Sequence, residues 1–145
     1  MKKILFYLVL ALFLLQLYRP AKNISEEVSQ NSITNFKVPE NIQNILEVSC
    51  YDCHSNNTNY LWYHNIAPVS WVVAHHIKEG KEHVNFDEWA TYNNDQKEHI
   101  IEEMIETIES REMPLVGYIK LHPEAVISEA DNLKLLDWIR SLEIE

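Results

Sequence analysis

The chain has 145 residues, with 12 Lys and Arg against 22 Asp and Glu, and a formal charge of −10. That length allows one domain plus a tail, and the acidic balance argues against nucleic acid or anionic lipid as a partner. Only 2 Gly occur, and they form no phosphate-cradling fingerprint.

Met1-Lys2-Lys3 opens the chain and an apolar run follows from Ile4 to Tyr18, broken only by Gln16 and closed by Arg19-Pro20. A basic start before an apolar stretch is the pattern of an export signal. No small-x-small cleavage site follows it, so residues 1–20 read as an uncleaved signal anchor. A cleaved signal peptide and a periplasmic protein are the alternative. The run is 15 residues long, against the roughly 20 that a spanning helix needs. Lys2, Lys3 and Arg19 can snorkel to make up the length. The two lysines favour the cytoplasmic side, which places the rest of the chain outside the inner membrane as a single-pass protein. Beyond residue 20 the chain keeps 9 basic residues (12 less Lys2, Lys3 and Arg19) and all 22 acidic ones, a formal charge of −13. Such a surface favours basic partners and also serves solubility.

Ala21 to Lys37 is polar and without periodicity, so residues 21–37 read as a linker. From residue 38 to 145 the pattern is that of one helical domain. Pro39 suits a first helical position, and Ile42, Ile45, Leu46 and Cys50 then recur on one face. Next comes Cys50-Tyr51-Asp52-Cys53-His54, a C-x-x-C-H motif that holds the chain's only two Cys. This is the attachment signature of a c-type haem. The two thiols can add across the vinyl groups, and the adjacent imidazole can reach the iron as proximal ligand. A thioredoxin-like pair would want a βαβ setting, and zinc would want a second ligand pair; neither is present. A disulfide closing so short a loop would stabilise little. Haem attachment takes place outside the cytoplasm, so the motif and the export signal support each other.

Ser55 to Tyr60 reads as a loop. Pro68 to Glu79 predicts a helix closed by Gly80. Asn85 can cap a short helix through Trp89. Asp95 can cap a longer one whose stripe is Ile100, Ile101, Met104, Ile105 and Ile108. Met104 reads as core there, and Glu102, Glu103, Glu106 and Glu109 as the solvated face. Ser128 with Asp131 resembles a capping box at the start of a last helix from about Glu129 to Leu142, with Leu133, Leu136, Trp138 and Ile139 as candidate core. The fold class is all-α.

Of three Met, Met113 is neither terminal nor within an apolar helical stripe. It precedes Pro114 in a non-helical stretch, which suits a distal iron ligand and gives His/Met ligation of a raised potential. The alternatives are a gap-filling Met, and ligation by His122, His75 or His76.

These residues resemble a known family. The order helix, CxxCH, Met-Pro, C-terminal helix resembles class I cytochromes c. The stretches Cys50–Asn56, Trp62-Tyr63, Ile66–Trp71, Ala74–Ile77, Asn85-Phe86, Glu88-Trp89, Met113–Leu115 and Leu121–Ala125 are similar to the bacterial haem-binding domain family with a single CxxCH. The likeness spans about Val38 to Leu142, and Arg19-Pro20 is similar too. It implies a small cytochrome c-like helical domain, behind a membrane anchor, around one covalently attached haem c with its iron. The expected function is electron transfer outside the cytoplasmic membrane, with a redox partner that docks through a basic surface, and not substrate turnover. The alternative is a haem-based sensor or ligand-binding module whose sixth coordination site is open.

Overall fold

The computed structural model describes residues 1–25, 29–30, 32–36 and 38–142. Among them there are only helices, turns and loops, with no strand, in agreement with the all-α expectation. The parts of the expected linker at residues 26–28, 31 and 37, and the expected domain end at 143–145, lie outside the described residues.

The first helix, α1 (Lys2–Leu15), is apolar on every face and buries none of its side chains. Its 14 residues rise about 21 Å, short of the roughly 30 Å hydrocarbon core. No helix among the described residues is long and apolar enough to cross a membrane. The helix stops where the Gln16 side chain leaves it to pair with the backbone of Ala67. The expected span through residue 20 is therefore not formed.

The stretch read as a linker is fastened to the domain instead. Asn23 donates to the Ser55 carbonyl at 2.8 Å and to Thr58 Oγ1 at 3.0 Å, and accepts from Lys81 Nζ at 2.9 Å. Ile33 is fully buried. One Asn can supply two donors and an acceptor at once, so polar composition here serves cross-chain pairing rather than solvation.

α2 (Glu40–Ser49) begins after Pro39 and buries Ile42 and Leu46. α3 (Tyr51–His54) is the single turn that carries the CxxCH residues. α4 (Val69–His83) follows. Asn85 caps the 3-10 helix Phe86–Thr91 by accepting from Asp87 N–H at 3.1 Å. α5 (Asn94–Glu109) is capped by Asn93, whose side chain accepts from Gln96 N–H at 2.9 Å while its backbone N–H donates to Gln96 Oε1 at 3.0 Å. The expected cap, Asp95, is instead the second residue of the helix, in the first turn, where its charge meets the helix dipole. α6 (Val116–Ile119) is one turn. α7 (Glu129–Arg140) starts from Ser128, which accepts from Asp131 N–H at 3.1 Å while its hydroxyl donates to the Asp131 carboxylate at 2.8 Å.

α5 packs on α7, α2 on α7, and α3 on both α2 and α4. The core joins Ile42 and Leu46 with Phe86, Trp89, Ile100, Ile108, Leu135, Leu136 and Ile139. Leu133 was expected in it and is 60 % exposed, whereas Leu135 is 1 % exposed. The buried residues of α7 are Asn132, Leu135, Leu136, Trp138 and Ile139, a face that recurs three and four residues apart from Asn132 and excludes position 133. Leu135→Ala is therefore expected to cost about 2–5 kcal/mol, and Leu133→Ala within about 0.5 kcal/mol; urea-unfolding midpoints measure both.

Candidate cofactor site

The C-terminal end of α2 and the start of α3 are one continuous path through Cys50, whose backbone bends out of helical geometry at φ −126°. Cys53 and His54 N–H groups both bond back to the Cys50 carbonyl, at 3.1 and 3.0 Å. That closes the turn and puts Cys50, Cys53 and His54 on the wall of one cleft of about 560 Å³. The volume lies within the range of small-molecule and cofactor pockets. Leu46, Val84, Phe86, Ile100, Ile108, Leu135, Trp138 and Ile139 supply its apolar lining.

Three devices hold the turn in place. Asp52 accepts from Asn59 N–H at 2.9 Å and from the Tyr118 hydroxyl of α6 at 2.8 Å. Burial first, and then that carboxylate, raise the Tyr118 pKa, which keeps the phenol protonated as the donor. Beyond the turn, Asn56 N–H donates to Asp87 Oδ2 at 2.8 Å, and the buried Asn85 donates to Asn56 Oδ1 at 2.9 Å. The third device is Gly80.

Gly80 was expected to close α4. Instead the helix runs on to His83, and Gly80 is buried within it. A Cβ there would lie 3.0 Å from the Cys53 carbonyl oxygen, 3.2 Å from Cys53 Cβ and 3.3 Å from His54 Cε1. The missing side chain is what lets α4 lie against the motif. Gly80→Ala sets about 1 kcal/mol of gained helix propensity against about 1–3 kcal/mol of overpacking. Its neighbour is backbone that cannot swing aside, so the expected result is a net loss of about 1–2 kcal/mol and a weaker hold on the cofactor, read by thermal unfolding and by cofactor content.

His54 lies 3.1 Å through Nδ1 from the Val84 carbonyl. A carbonyl can only accept, so Nδ1 carries the proton and Nε2 keeps its lone pair. Burial lowers the His54 pKa against the opposing pull of that backbone bond, and the ring is neutral, as a metal ligand must be. Burial and the neighbouring Cys53 push the Cys50 thiol up to about 12, and burial and Asp52 push Cys53 up to about 11. These thiols lack the electropositive surroundings that activate a redox-enzyme CxxC pair.

Met113 also lines the cleft. α5 ends in a Schellman motif: Arg111 adopts φ 61°, its N–H reaches the Ile108 carbonyl at 3.4 Å, and Glu112 N–H reaches the Thr107 carbonyl at 3.0 Å. Met113 N–H joins the same Thr107 oxygen at 3.2 Å, so the helix end fixes where the methionine leaves the backbone. Met104 lines the cleft too while packing against the core. Of the apolar stripe that assigned it to the core, Ile100, Met104 and Ile108 also form the wall of the site.

The histidines separate by position. His122 is 4 % exposed, with Nε2 at 2.5 Å from the Tyr63 hydroxyl and Nδ1 at 3.3 Å from Glu124. Both of its nitrogens are engaged, and it is not among the residues that line the cleft. His75 does not line the cleft and pairs at 3.1 Å with Glu79, which does. His76 reaches the cleft with a side chain that is 43 % exposed. Sequence reasoning missed the roles of Asp52 and Tyr118, the bond from Asn85 to Asn56 and the packing role of Gly80. Only Gly80 carried a local signal: the residues after it, Lys81-Glu82-His83, suit a continuing helix.

Residues 10–141 match the model of the family described as Haem-binding domain, and the chain belongs to that family. No curated protein and no solved structure matches it.

Proposed function

We propose that this member of the haem-binding domain family is a monohaem c-type cytochrome that transfers electrons outside the cytoplasmic membrane, to which its N-terminal helix anchors it. The observation that carries the reading is the convergence of Cys50, Cys53, His54 and Met113 on one apolar-walled cleft of about 560 Å³. Two thiols and an imidazole are the donor set for a covalently attached haem c, and a thioether against the same apolar wall suits His/Met ligation. When bound, the haem supplies a one-electron iron couple. Cys50 and Cys53 would hold it through thioether bonds. His54, oriented by the Val84 carbonyl, would present Nε2 as proximal ligand, and Met113 its sulfur as distal ligand. The apolar wall excludes water, which favours a small reorganisation between redox states.

The mouth of the cleft is acidic: Glu79, Glu103, Glu106 and Glu112 all border it. That rim supports a redox partner with a basic docking surface, recruited by charge before contact. In a potentiometric titration the matured protein should follow a reversible one-electron curve. Its reduction by a cationic carrier should slow as ionic strength rises, because exposed charges are screened within about 10 Å at 0.1 M salt. A protein that does not cycle reversibly is not a carrier. A ferrous form that binds carbon monoxide readily would favour a sensor with an open sixth site.

A further inference from the structure

The joint between α1 and the domain is rigid where a tether was expected. The Gln16 side chain donates to the Ala67 carbonyl at 3.1 Å and accepts from the Ala67 N–H at 2.9 Å. Trp71 Nε1 donates to the Tyr18 carbonyl at 3.0 Å, and the two rings meet edge to face with centroids 5.9 Å apart. Large apolar side chains surround this joint in the open. Ile66 and Val69 flank Ala67 at 45 % and 39 % exposure, Val72 follows Trp71 at 52 %, and Trp62 stands at 76 %.

Charge marks the same face. None of the 22 acidic residues falls between Met1 and Ser25 or between Cys53 and Lys78, the two segments that meet at the joint. Arg19 and Lys22 lie beside it in sequence. An apolar patch built from two segments that carry no acid, with Trp and Tyr at its edge, has the composition of a membrane–water boundary. α1 exposes apolar side chains on every face and so requires an apolar medium all round. That medium ends at the joint, and the patch is continuous with it.

We infer that Trp62, Ile66, Val69 and Val72 rest on the lipid bilayer that holds α1, so that the domain lies on the membrane in one orientation. This rests on the membrane anchorage proposed above. α4 carries both surfaces: Val72 touches lipid, and Gly80, eight residues on, is about 12 Å further along the helix axis, against the CxxCH turn. The acidic rim is thereby kept apart from the lipid contact.

The test uses the full-length, haem-loaded chain in native membranes, with a photoreactive benzophenone amino acid replacing Trp62, Val72 or, as control, the exposed Leu133 of α7. After irradiation, mass spectrometry should find lipid adducts at positions 62 and 72 at several times the level at 133. Equal labelling at all three positions, or adducts to protein instead of lipid at 62 and 72, overturns the inference while leaving the anchorage intact. Recovery of the chain in the salt-washed soluble fraction overturns the anchorage, and this inference with it.

Discussion

Replacing Cys50 and Cys53 together by Ala is expected to remove all haem that survives denaturing electrophoresis, an all-or-none loss of the haem-dependent peroxidase stain. The two are the chain's only Cys, so no other thiol can substitute. Single replacements should leave one thioether and a weakened stain. The cleft would survive the double change, because its apolar wall comes from α2, α5 and α7 as well as from the motif. The double variant should thus still fold, with helical circular dichroism close to that of the wild type. Undiminished stain in the double variant would refute attachment through these thiols.

Met113→Ala should have the second largest effect. With the thioether gone, the weak red-edge charge-transfer band of Met-ligated ferric haem should disappear, a coordination site should open, and the reduction potential should fall. Met104→Ala is the comparison that gives the result meaning, since both methionines line the cleft. Met104 is half-buried and inside α5, so its truncation should cost about 2 kcal/mol, the low end for a core methionine, and leave the band in place. His76→Ala and His122→Ala should leave it as well; His122 already has both ring nitrogens bonded. If Met104→Ala abolishes the band and Met113→Ala spares it, the two roles are reversed.

The parts of this molecule that were legible in the sequence are those set by neighbours a few residues apart. The CxxCH turn, the Asn85 and Ser128 caps and the buried stripe of α5 all depend on spacings of one to four residues. What was not legible depends on partners far along the chain. Tyr118 meets Asp52 across 66 positions and Asn23 meets Lys81 across 58, so polar residues that looked like solvated loop are structural ties. Gly80 shows why local reading fails even at a marked residue. A glycine after a helical stretch suits either a C-cap or a close helix contact. The choice is made by Cys53 and His54, which press against it from another element. Leu133 failed for a smaller reason: its neighbours are apolar on two adjacent faces, and only the packing of α7 on α5 and α2 picks the face that contains Leu135.

The central claim is a haem that is covalently held and ligated on both sides by this chain. The most direct measurement is the visible spectrum of the full-length protein matured in cells that attach c-type haem, recorded ferric, ferrous and after denaturation in alkaline pyridine. The account predicts a low-spin spectrum in both oxidation states, the red-edge band in the ferric form, and a pyridine adduct characteristic of thioether-linked haem. A chromophore that extracts into acidified organic solvent would contradict attachment, and a high-spin ferric spectrum without the red-edge band would contradict ligation by Met113.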